Sequence, residues 1–170
     1  IRYYALALSS DINPIQERER GLTLGNIRSL QIDYSILDQE PARQLFPVVE
    51  SEGIGLISRE PHASEILANK FTGSYQLYTS GRSMHRKKDL IEKSVKKAEM
   101  LRFLVEDTGR TLSQSAIKFC LSQSSIVSVL PNITSIEKLN DYALSSDSYD
   151  LADHELDRIE ELWQSGFEIE

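Results

Sequence analysis

Ser29-Leu30-Gln31-Ile32-Asp33-Tyr34-Ser35-Ile36-Leu37-Asp38-Gln39-Glu40-Pro41 runs from a strand pattern through a polar turn into a helix start. Leu30, Ile32 and Tyr34 fall on one side of an extended segment and Gln31, Asp33 and Ser35 on the other. That is the two-residue period of a strand with one buried face. A polar turn follows, and Pro41 then stands at a helix start, where its missing N–H costs no hydrogen bond. Over residues 41–52 the apolar Leu45, Val48 and Val49 return at helical spacing, and Gly53 stops the helix.

The same rhythm continues on both sides. Residues 1–8 are apolar and aromatic enough for a buried strand, and residues 11–20, with Pro14, read as a loop or short helix. A second short strand is predicted over 54–58, followed by a long Ser/Thr/Gly/Tyr loop over 61–86 with one turn of helix at 64–69. A loop of that length inside a compact domain is usually functional or mobile. Residues 89–107 carry Ile91, Val95, Ala98, Leu101 and Val105 on one helical stripe. Thr111 and Gln114 form a capping box for a helix that buries Leu112, Ala116, Phe119 and Cys120. The last strand is predicted over 126–130. A second box, Thr134 with Glu137, opens a helix reaching Ala143, and an amphipathic helix over 153–164 turns Leu156, Ile159, Leu162 and Trp163 inward.

Four strands, each followed by helix, define an α/β protein with parallel strands and right-handed crossovers. No internal repeat, low-complexity segment or linker divides it, so residues 1–170 read as a single domain. Four βα units make either an open sheet with two unpaired edges or half of a (β/α)8 barrel. Periodicity leaves both open.

Charge and composition narrow the function classes. With a net charge of −7, a nucleic-acid surface would need a segregated basic patch, and the one basic run, residues 82–97, alternates with apolar residues like the wet side of a helix. The single cysteine, Cys120, reads as a small core side chain, and with no second cysteine an intrachain disulfide is impossible, which suits a reducing cytoplasm. No apolar run approaches the ~18 residues of a membrane span, and no signal-peptide pattern is present. The opening Ile1-Arg2, already in a strand-like run, reads as the middle of a longer protein. His62, His85 and His154 have no second ligand at metal spacing, so no zinc site is expected. The carboxylates of Asp153-His154-Glu155-Leu156-Asp157 and of Glu160-Glu161 read as a solvated face with a favourable helix start.

Six blocks in register, residues 2–9, 29–42, 53–71, 85–93, 109–122 and 125–139, resemble the aldo-keto reductases. The segment at Gln31 resembles that family's Q-x-E-Y-N-x-L-D-Q-E-P, and the matching portion is the C-terminal half of its (β/α)8 barrel. The resemblance implies an NAD(P)H site. Gln31 would hydrogen-bond the nicotinamide carboxamide, and Arg59 would stand where the family often has an aromatic ring. Glu60, Pro61, His62, Ala63 and Ser64 would wrap the pyrophosphate, with Lys70 and Arg86 adding positive charge. Asn132, Thr134, Ser135, Lys138 and Asp141 would cradle the ribose phosphate and adenine. Independently, a helix N-terminus just after a strand, with hydroxyls and a lysine, suits an anion. The residues by themselves leave this open against simple helix capping by Thr134 and Ser135.

The sequence also departs from the family. The Asp, Tyr, Lys and His of the family's chemistry come from the first half of the barrel, and no matching set occurs here, so no catalytic residue is assigned. The Ser-Asn usual in the first strand is replaced, with Ala5, Ala7 and Leu8 in that run. Glu65 and Asn69 stand in place of glycines, Asn132 replaces another, and the adenine-facing Asn is Tyr142. The expected function is therefore the cofactor-binding half of an NAD(P)H-dependent reductase, inactive without its N-terminal half. The alternative is a non-catalytic half-barrel that self-associates through its unpaired edges.

Overall fold

The computed structural model describes residues 2–8, 16, 26–68 and 93–168. Four strands, β1 (Tyr4–Ala7), β2 (Ile27–Asp33), β3 (Gly55–Arg59) and β4 (Ile126–Leu130), form one all-parallel sheet in the order β1-β2-β3-β4. Helices α1 (Ala42–Glu52), α2 (Leu112–Leu121), α3 (Ile136–Ala143) and α4 (Asp153–Gln164) accompany it, with a further helical run over 93–99. The strand order carries the architecture. Right-handed crossovers that always step in the same direction put their helices on one face and leave the other bare.

Burial follows that division. Leu30 and Ile32 of β2 and Leu56 of β3 are buried against Leu45 and Val49 of α1, Ala116 and Cys120 of α2, and Ile159 of α4. On the bare face Ala5 and Ala7 are exposed, Gln31, Asp33, Ile57 and Arg59 are half-buried, and Leu130 remains 47% exposed. At the β3–β4 register shift the chains approach closely. A Cβ on Gly55 would sit 2.9 Å from Val127 Cγ2, so a larger residue there would require the exposed Val127 side chain to shift. Gly53 closes α1 at φ 64°, a left-handed cap. Cys120 is a core thiol whose Sγ–H donates to the Tyr34 carbonyl at 3.3 Å, and burial pushes its pKa up to about 12.

Five expectations need correction. The strand read as buried over 1–8 is exposed at Tyr4, Ala5 and Ala7, because no described element covers its faces, and only Leu8 after it is buried. The helix predicted over 89–107 is helical over 93–99 and then tightens into a 3₁₀ turn, Arg102–Leu104. Asp107 and Gly109 take left-handed φ of 57° and 70°, and Thr108 Oγ1 donates to the Leu104 carbonyl, competing with helix continuation. The turn of helix expected at 64–69 does not form over 64–68, its described part: Ala63, Ser64 and Glu65 take left-handed φ of 48°, 56° and 70°, and residue 69 lies outside the described residues. The cap of α3 is Ser135, not Thr134: Ser135 is extended (φ −152°, ψ 164°), and its Oγ accepts the Lys138 N–H at 3.3 Å. Glu155 is not a solvated carboxylate. It is buried, ion-paired with Arg110, and accepts the Ala152 N–H at 2.8 Å. Of the loop predicted over 11–20, all but Gln16 lies outside the described residues.

The other capping box forms as read, with Thr111 Oγ1 accepting the Gln114 N–H and Gln114 Oε1 accepting the Thr111 N–H. No helix among the described residues is long and apolar enough to cross a membrane.

Candidate functional site

The parallel strands all end at one end of the sheet, and the candidate residues lie toward it because each follows, or sits in, a strand. Gln31 lies inside β2 on the bare face, flanked in register by Ala7 and Ile57. Two residues on, Asp33 is paired across from Arg59. The Arg59 guanidinium donates from Nε to Asp33 Oδ1 and from Nη2 to the Leu8 carbonyl at 2.5 Å, so it bridges the ends of three strands.

The turn after β3 folds back toward α2 and α3. Glu60 is exposed, and its Oε2 accepts the Ser64 N–H at 3.2 Å. Pro61 and His62 are buried. The His62 ring lies on Tyr142, with centroids 4.4 Å apart, and its Nε2–H donates to the Ser113 carbonyl at 3.3 Å. Burial holds the His62 pKa below the ordinary imidazole value and pushes the Tyr142 phenol upward. Glu65 reaches α3 and forms an ion pair with Lys138.

At α3, Ser135 is the N-cap and Lys138 stands in the first turn. Asn132 and Thr134 are exposed in the connection from β4. Asp141 turns the other way: it accepts from Thr111 Oγ1 and Gln114 Nε2, both at 2.9 Å, tying α3 to the start of α2. Lys70 and Arg86 lie outside the described residues. The structure thus joins the 60–65 turn to α3, while Gln31 and Arg59 stay on the sheet.

A cleft between the ends of β2 and β3 is lined by Asp33, Tyr34, Ser35, Asp38, Glu60 and Ser64. Within it Asp33 acts on Asp38 as a like charge. The Asp38 pKa is raised, first by burial and then by Asp33 and Glu40. No cluster of three or more His, Cys, Asp or Glu among the described residues could hold a metal ion. Sequence reasoning missed the Glu65–Lys138 pair and the His62–Tyr142 stack. Partners 73 residues apart leave no local signal.

The pattern that defines the Aldo/keto reductase family matches residues 1–164. Among curated proteins, none matches the chain. Among solved structures, an aldo-keto reductase from Bacillus halodurans in its holo form is similar with a TM-score of 0.67 at 24% identity, over 95% of this chain and 50% of that one. A glycerol dehydrogenase from Gluconobacter oxydans gives 0.64 at 15% identity, over 100% and 61%. A thermostable aldo-keto reductase in complex with the inhibitor epalrestat gives 0.59 at 16%, over 95% and 60%. The chain spans 50–61% of the length of these structures. Its four βα units are the equivalent of half of such a barrel, which chooses between the two architectures that periodicity left open. With the match running through nearly all of its length, this chain belongs to the aldo/keto reductase family.

Proposed function

We propose that this chain is the cofactor-side half of an NAD(P)H-dependent aldo-keto reductase, working in the cytoplasm. One observation carries the reading: the polar groups on the bare face and the lysine-bearing start of α3 lie toward the same, C-terminal end of the parallel strands. Gln31, half-buried on that face, offers an amide donor and acceptor to a carboxamide. Arg59 holds the neighbouring strand ends in register beside it. The exposed Asn132, Thr134 and Ser135 supply hydroxyls and an amide for a ribose phosphate, with Lys138 as the cation. When bound, the nicotinamide supplies hydride to a carbonyl carbon. The proton for the carbonyl oxygen would come from a tyrosine of a second, N-terminal half-barrel. NADPH-dependent reduction of a generic aldehyde tests this. The 170-residue chain should show none until a half-barrel carrying the Asp, Tyr, Lys and His set is added. Turnover by the pure chain would overturn it.

A second reading is a non-catalytic module that self-associates. The bare sheet face favours it, together with an apolar rim in which Val127, Leu130, Ile133, Ile136 and Leu139 are all exposed. Light scattering at increasing concentration tests it, and a monodisperse monomer throughout would rule it out.

A further inference from the structure

A lysine in the first turn of a helix opposes the helix dipole, so it is favourable there only with an anion beside it. Lys138 holds that position in α3, and the anion beside it is a side chain of this same protein, the Glu65 carboxylate. The two side chains are 26% and 19% exposed, so the pair is mostly shielded from water and salt. Reaching it requires Ala63, Ser64 and Glu65 in succession at left-handed φ, a conformation non-glycine residues hold only when their surroundings impose it.

Beside the ion pair the seam is closed by the His62 ring on Tyr142, the two residues 2% and 5% exposed. The closure is imperfect. His62 Nδ1 and the Tyr142 hydroxyl are buried with no hydrogen-bond partner among the described residues. An acceptor and a donor left unpaired in the same seam weaken the closed state relative to an open, solvated one.

Resting on the cofactor-site reading above, we propose that Glu65 is an internal stand-in for a nucleotide phosphate. It occupies the Lys138 seat and forms an autoinhibitory latch that a phosphomonoester must displace. In the closed state the turn after β3 lies down on α3. In the open state Lys138 faces the incoming phosphate, and the strained turn is released. The ligand class follows from the seat: a single ammonium at a helix start recognises a compact dianion, and a neutral ribose hydroxyl would not compete with a carboxylate.

The test compares the full chain with Glu65→Gln and with the double variant Glu65→Gln/Lys138→Gln. Two readouts are taken: amide hydrogen exchange at Ile66 and Leu67, and calorimetric titration with 2′,5′-ADP and with inorganic phosphate. Those amides donate to the Ala63 and His62 carbonyls in the closed turn. In Glu65→Gln, exchange should accelerate several-fold and 2′,5′-ADP should bind about tenfold more tightly, the size of effect expected when a partly buried ion pair stops competing. The gain should vanish in the double variant. If the parent and Glu65→Gln bind 2′,5′-ADP equally well, the latch is overturned while the cofactor reading survives. If exchange accelerates but neither protein binds, there is no guarded site, and the latch falls together with the cofactor reading. Equal tightening toward inorganic phosphate would overturn the assignment to a nucleotide.

Discussion

Arg59 and Asp33 pair across β3 and β2 at the C-terminal ends of these two central strands, and the same guanidinium reaches the backbone just after β1 through the Leu8 carbonyl. One side chain therefore ties together three strand ends that have no helix over them. The pair is about three-quarters buried, so its hydrogen bonds are worth more than those of a surface pair. Arg59→Leu should cost about 1–3 kcal/mol in urea denaturation. Arg59→Lys should recover less than half of that, because an ammonium lacks the fork that serves two acceptors at once.

Arg110 and Glu155 form the most deeply buried ion pair described, with side chains 4% and 6% exposed. Removing either partner alone strands a charge. Glu155→Leu should destabilise by about 3–5 kcal/mol, whereas Arg110→Met/Glu155→Leu together should be far milder. A double-mutant cycle followed by thermal and urea melts checks this; strict additivity of the two single losses would contradict it.

Capping should separate three hydroxyls that look alike on paper. Thr111 serves both its capping box and Asp141, so Thr111→Ala should cost about 1–2 kcal/mol. Ser135→Ala should cost about 0.5–1 kcal/mol as the working cap of α3. Thr134→Ala should leave the melting curve unchanged, since the cap of α3 is Ser135.

The His62 imidazole is held neutral mainly by burial. The Ser113 carbonyl, Glu65 and Asp141 pull its pKa up, and Lys138 pushes it down. Its folded pKa lies below the unfolded value of about 6.5, so the unfolded chain takes up a proton first as the solution is acidified. The stability it contributes is present above about pH 6.5 and is lost as pH falls through the lowered folded value. Unfolding free energies measured between pH 7.5 and 5 should fall more steeply for the parent than for His62→Phe. Parallel curves would show that His62 carries no linkage.

The apolar rim makes a prediction of its own. If copies meet through it, Ile136→Lys/Leu139→Glu should shift sedimentation toward monomer with little change in melting temperature, because both side chains are already solvent-exposed. A large loss of stability would show instead that these side chains support the fold.

Where hydrophobic period and breakers agree, the sequence was legible to the residue. Strand β4 and helix α4 lie where they were read, because each is specified by side chains within its own length. Within the helix expected over 89–107 the stripe is real, with Ala98 and Leu101 buried and Val95 and Val105 half-buried, yet the backbone beneath it changes form. At the start of α3, Thr134 and Ser135 both have cap chemistry, and only the extended backbone at Ser135 decides between them. Of the candidate site, Gln31, Arg59 and the α3 residues are what the resemblance implies. What their side chains touch was not legible.

By itself the sequence determined the βα rhythm, the parallel strands, the buried stripe of each helix and the kinship of the chain. The rhythm and the stripes rest on spacings within a few residues, the parallel pairing on the order of strands and helices, and the kinship on blocks in register along nearly the whole chain. Only the tertiary structure decided that Glu65 meets Lys138, that His62 lies on Tyr142, that Arg110 buries Glu155 and that one sheet face stays bare. Each of those joins elements far apart in the chain. Their energy depends on distance and desolvation in three dimensions, which no local pattern of residues encodes.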